Sequence, residues 1–146
     1  MAKCGFTEKT TVENELAIIR RCIDSKDRDW YTIIDKSNKI IGETGLLRMF
    51  PQWQCTDFTI IIPDPKEQGK GYGTEVSKLM FELAFNQWNF NRVSIGVVGF
   101  NKSALKFYEK IGFKREGIQE QGYFYNNEFS DFIMMRILKN EYISME

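Results

Sequence analysis

A mixed α/β sheet with a partly parallel centre is the fold this sequence predicts, and three observations carry it. The hydrophobic period changes along the chain in the order helix, three strands, helix, strand, helix, two strands. The apolar run Cys55 to Ile62 ends in an unbroken Ile60-Ile61-Ile62 and stops at Pro63-Asp64-Pro65, which reads as a central strand buried on both faces. Finally, 146 residues with 42% hydrophobic and 14% aromatic side chains suffice for one core, so residues 1–146 read as a single domain.

Each element has a local reason. Thr10 with Glu13 makes a capping box, and Leu16, Ile19 and Ile23 then recur at helical spacing, predicting an amphipathic helix over residues 11–24. Residues 30–35 and 39–49 are rich in Ile, Leu, Tyr and Thr around the turn residues Lys36-Ser37-Asn38, which predicts a hairpin. After the glycine-rich segment 69–73, Val76, Leu79, Met80, Leu83 and Ala84 mark one face of a helix reaching about Trp88. A strand over 92–98 follows. Asn101 then caps a short helix with Ala104, Tyr108 and Ile111 along one side and Gly112 past its end. The chain closes with strands over 122–125 and 128–138 about an Asn126-Asn127 turn.

Composition removes several classes of function. Twenty Lys plus Arg balance twenty Asp plus Glu, so nothing attracts the chain broadly to nucleic acid or to an anionic membrane. There is no histidine, which excludes Ser-His-Asp and Cys-His mechanisms and imidazole ligands for zinc. Cys4, Cys22 and Cys55 are odd in number and widely spaced, and they fit neither a disulfide framework nor a metal site. A reducing cytoplasm is the expected location, with no metal cofactor. The N-terminal residues carry charge where a signal peptide needs an apolar run, and no stretch approaches the roughly 20 apolar residues of a membrane span.

Two motifs carry chemistry. Gln68-Gly69-Lys70-Gly71-Tyr72-Gly73 lies between a strand and a helix N-terminus, where free amides and the helix dipole favour an anion such as a phosphate. It departs from the dinucleotide and P-loop fingerprints, because Tyr72 and Gly73 break the first and Gly71 follows Lys70 in the second. The same turn also suits a plain strand-to-helix connection. The second motif is Asn101-x-x-Ala104-x-x-x-Tyr108-x-x-x-Gly112-Phe113, which sets Asn101 and Tyr108 two turns apart along one helical face. By itself, Tyr108 reads first as an ordinary core aromatic.

Together these motifs resemble those of the GNAT acyl-CoA-dependent N-acetyltransferases, over about residues 10–142. Gln68-x-x-Gly71-x-Gly73 is similar to that superfamily's pyrophosphate-binding pattern, and the Asn101 to Phe113 segment to its second cofactor-contacting motif. The ending, Phe113 to Gly117 and then Tyr123 to Leu138, looks most like the branch of RimJ/RimL ribosomal-protein acetyltransferases and bacterial spermidine acetyltransferases. The resemblance implies a mixed, mostly antiparallel sheet whose central parallel strands splay apart to receive the pantetheine arm, flanked by helices. It implies acetyl-CoA as co-substrate and direct transfer of acetyl to a primary amine: a polyamine, a protein N-terminus or another small amine.

Residue by residue, the resemblance puts backbone groups of Ile61 and Ile62 on the pantetheine and the amides of Gly69, Lys70, Gly71, Tyr72, Gly73 and Thr74 on the pyrophosphate, beside Gln68. Asn101, Ala104 and Phe107 would line the cofactor arm, with Tyr108 protonating the departing thiolate. Lys102, Lys106 and Lys110 form a basic stripe near the nucleotide or a solvated face. An ammonium with a pKa of about 10 must lose a proton before attack, so a base is expected; Asp57 is the first candidate and Glu43 the second. Cys55 reads as a small buried hydrophobe rather than an acyl-carrying nucleophile. A polyamine site would draw on Glu43, Asp57, Glu116, Glu120 and Asp131. Against that branch, the strand and short helix with which its members begin are expected to be shortened or absent here. That would alter the acceptor-side wall, implies an edge covered by a second subunit in a homodimer, and leaves a non-catalytic acyl-CoA-binding module as the alternative.

Overall fold

The computed structural model describes residues 11–144. Helix α1 spans Val12–Asp24, β1 Asp29–Ile34, β2 Ile40–Phe50, β3 Cys55–Ile61, α2 Tyr72–Glu82, β4 Arg92–Val98, α3 Lys102–Lys110, β5 Lys114–Tyr125, β6 Glu128–Leu138 and α4 Lys139–Ile143. The strands form one six-stranded sheet in the order β1-β2-β3-β4-β6-β5. Every neighbouring pair is antiparallel except β3 and β4 at the centre. No described helix is long and apolar enough to cross a membrane.

Turn chemistry fixes the two hairpins. Asp35 accepts from the amides of Ser37 and Lys39 and from the Ser37 hydroxyl, and Asn38 takes the positive φ that closes the β1–β2 turn. Asn126 and Asn127 both lie at positive φ, the type I′ geometry whose twist matches the flanking strands. The core lies on one face of the sheet, where Phe58, Phe81, Phe113 and Tyr108 meet edge-on, tilted or stacked at centroid distances of 5.6 to 6.4 Å.

Several expectations are corrected. The cap of α1 is Thr11, which accepts from the Asn14 amide, rather than Thr10, which lies outside the described residues. The apolar stripe of α1 turns away from the core: Leu16, Ile19 and Ile23 are all exposed, because the helix meets the body chiefly through β1. On α2, Leu79 is exposed, and the buried face runs through Ser77, Met80 and Phe81. The helix continues as a π-turn over Leu83–Gln87, which carries Ala84 and Phe85 into the core.

Strand β5 begins at Lys114, eight residues before the predicted start, and α4 was not predicted. The polar run 114–121 shows no alternation because the edge strand is exposed on both faces, and its pairing with β6 supplies what sequence pattern does not. Helix α4 is too short for a period. It forms where Glu141 accepts from the Leu138 amide at 3.0 Å and pairs with Arg136 and Lys114, while Tyr142 stacks on Phe85.

Candidate active site

The site begins where the sheet's one parallel ladder ends. β3 and β4 pair only over Cys55↔Arg92, Thr56↔Val93 and Asp57↔Ser94, although both strands continue. Beyond Asp57 the strands splay, and β3 stays paired to β2 alone through Ile61↔Glu43. Alternate peptide groups of the Phe58–Ile61 segment therefore face a gap rather than a ladder partner. The gap also explains why Ile60, Ile61 and Ile62 are only half-buried, in contrast to the burial on both faces that their sequence predicts.

The open half of β3 leads into the glycine turn. Gln68 Nε2 donates to the Ile62 carbonyl at 2.8 Å, tying the turn back to the strand and occupying one acceptor position of that carbonyl. Gly69 (φ 77°) and Gly71 (φ 91°) take left-handed backbone, and a Cβ on either would meet no atom within 4 Å. The space above both is open for an approaching group. Gly73 has a different reason: an added methyl would lie 3.1 Å from the Phe107 ring, so its absence lets α2 begin against α3. Gly71 caps α2 without a side-chain hydrogen bond, leaving the first-turn amides as orphan donors. These features fit the diphosphate of an acyl-CoA.

Helix α3 forms the neighbouring wall. Asn101 Oδ1 accepts from the Ala104 amide at 3.3 Å and from the Ser103 hydroxyl at 3.0 Å, so the oxygen serves as the cap and the amide NH2 is the group it can offer a ligand. Ala104 and Phe107 are half-buried beside it. Tyr108 is buried against Phe58, Phe107 and Phe113. Lys102, Lys106 and Lys110 are exposed.

The two candidate bases lie across the sheet from Tyr108. Side chains alternate along a strand, and Phe58 enters the core against Tyr108, so Asp57, Thr59 and Ile61 face the other side. Glu43 shares that second face through its register with Ile61. Asp57 is paired with Arg48, whose side chain is 73% exposed and leaves at little cost. Glu43 accepts from Trp30 Nε1 at 3.2 Å and lines a cavity of about 360 Å³ with Thr32, Lys39, Ile41, Ile61 and Asp64. The five carboxylates considered for a polyamine do not form one ring. Glu116 and Glu120 sit on β5 and Asp131 on β6, with Glu116 held by Arg92 and Asp131 by the Gln121 amide.

Sequence reasoning missed Glu67. Its nearly buried carboxylate takes the Lys39 ammonium on Oε1 at 2.7 Å and the Lys70 ammonium on Oε2 at 2.8 Å. The hydrogen bond from Lys39, then that from Lys70, holds this carboxyl below the usual range, and both lysines are correspondingly raised. Only its place next to Gln68 hinted at a role.

Known proteins share this arrangement. The family described as acetyltransferase (GNAT) domain matches residues 1–114. A spermidine N(1)-acetyltransferase from Vibrio cholerae is 27% identical over 114 residues, covering 78% of this chain and 65% of that protein. A probable N-acetyltransferase from Bacillus subtilis, YjcK, is 29% identical over 101 residues, covering 69% of this chain and 56% of its own length. The chain thus spans less than two thirds of both relatives. Among solved structures, the V. cholerae spermidine N-acetyltransferase in complex with CoA and spermine superposes with a TM-score of 0.85 at 24% identity, over 92% of this chain and 79% of that one. A dodecameric form of a spermidine N-acetyltransferase from the same organism gives a TM-score of 0.84 at 24% identity, over 93% and 79%. With a family match across most of its length and the family's splayed parallel pair at the centre of its sheet, this chain belongs to the acetyltransferase (GNAT) domain family.

Proposed function

We propose that the chain, acting as one domain, transfers acetyl from acetyl-CoA to a primary amine. The observation that carries this reading is the end of the β3–β4 ladder at Asp57↔Ser94, which opens half of β3 toward the glycine turn. Bound acetyl-CoA supplies an activated acyl carbon whose C–S bond breaks as the amine's C–N bond forms. The orphan amides from Gly69 to Thr74 bind the diphosphate, and Gln68 keeps that turn in line with β3. Peptide groups of β3 near Ile61 bond the arm in the gap, and Asn101, Ala104 and Phe107 wall it.

Tyr108 gives its hydroxyl proton to the sulfur on the core face of the sheet, so that coenzyme A leaves as a thiol. On the opposite face Asp57, released from Arg48, takes the amine proton directly or through water, and Glu43 draws the cationic acceptor into the cavity. Donor and acceptor thus meet through the splay from opposite sides. Polyamines come first among acceptors, since spermidine and spermine appear in the names of the proteins this chain resembles. Self-association belongs to the same reading: α1 exposes Leu16, Ile19 and Ile23, and one solved neighbour is dodecameric.

Thiol release from acetyl-CoA, followed across spermidine, spermine, a peptide N-terminus and an aminoglycoside, tests the reaction and the acceptor class together. Release dependent on one of these amines is expected. Calorimetric binding of acetyl-CoA with no release for any amine would favour the non-catalytic module instead.

A further inference from the structure

The charged groups around the glycine turn reach beyond its own residues to the β1–β2 hairpin. We propose that Lys39, at the tip of the β1–β2 hairpin, is a second cation for the diphosphate of acetyl-CoA, and that Glu67 is the positioning residue that sets Lys39 and Lys70 beside the turn. The inference rests on the acetyl-CoA reading above.

The geometry is that of one anion shared by two cations. Glu67 offers one oxygen to each ammonium, at 2.7 Å for Lys39 and 2.8 Å for Lys70, and its side chain is only 9% exposed. A carboxylate so enclosed needs such partners, because an unpaired buried charge is costly. Asp64 and Asp35 also act on Lys39, so the attraction for a diphosphate comes from the two ammonium groups themselves, held close together by Glu67, and not from the charge of the whole cluster. Each ammonium has three donors and spends one on Glu67, so both keep donors for phosphate oxygens. The lysine side chains are themselves half-exposed, so those donors are accessible.

Both ends of the bridge are anchored. Asp35 accepts from the Lys39 amide at 3.0 Å and from the turn residue Ser37, fixing where the Lys39 side chain leaves the hairpin. The Glu67 amide donates to the Asp64 carbonyl at 3.0 Å, and Gln68 follows with its own bond to Ile62. A free lysine loses much rotamer freedom when it binds phosphate. Here Glu67 has already ordered both lysines, which makes it a positioning residue: it need not touch the ligand itself.

The test compares acetyl-CoA with S-acetylpantetheine, which carries the same thioester but no diphosphate, in the full chain and in the variants Glu67→Gln and Lys39→Met. Each variant should raise the KM for acetyl-CoA about tenfold with kcat within about twofold, the size expected for one charge-assisted contact. At saturating amine, turnover of S-acetylpantetheine should be unchanged. The double variant should lose less than the product of the two single effects, since both act on one contact.

If Glu67→Gln slowed both thioesters equally, Glu67 would be merely structural and its assignment overturned. If Lys39→Met left the KM for acetyl-CoA unchanged, Lys39 would not touch the diphosphate; this exposed change keeps the test open should Glu67→Gln fold poorly. A wild-type chain with no preference for acetyl-CoA over S-acetylpantetheine would instead overturn the acetyl-CoA reading itself.

Discussion

The two halves of β3 belong to one strand but differ in what they pair with. From Cys55 to Asp57 the strand is paired on both sides, to β2 and to β4; from Phe58 to Ile61 it is paired to β2 alone. The first half is a structural clamp. In the second, alternate main-chain groups have no ladder partner among the described residues, and backbone groups left out of a ladder favour a bound partner. Phe58 stands at the junction, 2% exposed, packed on Phe81, Tyr108 and Phe113. A sheet can thus open a gap by ceasing to pair, here with an aromatic cluster packed behind it.

The contrast can be broken at its junction. Phe58→Ala removes the ring that backs the splay and should cost about 3–5 kcal/mol in denaturant unfolding. A loss under about 1 kcal/mol would mean that the core repacks and that the Phe58 ring does not brace the splay. Tyr108→Phe keeps the ring packing and deletes only the hydroxyl, so the protein should remain folded while kcat falls about 100-fold. Unchanged kcat would remove Tyr108 as the acid and leave it as a core aromatic.

The half of β3 bound only to β2 is tested at Gly42. An added methyl there would overlap the Ile61 carbonyl oxygen, so Gly42→Ala should destabilise by about 1–3 kcal/mol and raise the KM for acetyl-CoA as the open half shifts. Stability lost with KM intact would show the two halves to be mechanically independent.

The smallest effect lies away from the splay and serves as a control. The carboxyl of Glu141 is held below the usual range, first by the Lys114 hydrogen bond and then by the Leu138 amide and Arg136. A depressed folded-state value means this stabilisation is complete above the unfolded pKa of about 4.3 and is lost as pH falls through the folded value. Glu141→Gln should cost about 1 kcal/mol or less near neutral pH. Its difference from wild type should shrink in unfolding curves taken below about pH 4, with activity on acetyl-CoA unchanged at neutral pH.

Much of this was legible in the chain because it is local. The φ values that Gly69 and Gly71 need, the Asn101 cap, the Asn126-Asn127 turn and the hydrophobic period of β2 or α3 each depend on a few consecutive residues. The spacing of the two motifs carried the family resemblance for the same reason. Other features depended on neighbours distant in sequence. The polar start of β5 becomes a strand only beside β6, and the apolar stripe of α1 faces outward although its pattern reads as core. The Ile60 to Ile62 run looks fully buried until β4 turns away from it.

The sequence by itself determined which segments would be helix, strand and glycine turn at the candidate site, since backbone preference and capping act over a turn or two of chain. Only the tertiary structure decided that Tyr108 and Asp57 stand on opposite faces of one splayed strand, and that Lys39 reaches Glu67 across 28 residues. Those relations follow from strand register and sheet order, which are set by the sum of all the pairings and by no one stretch of residues.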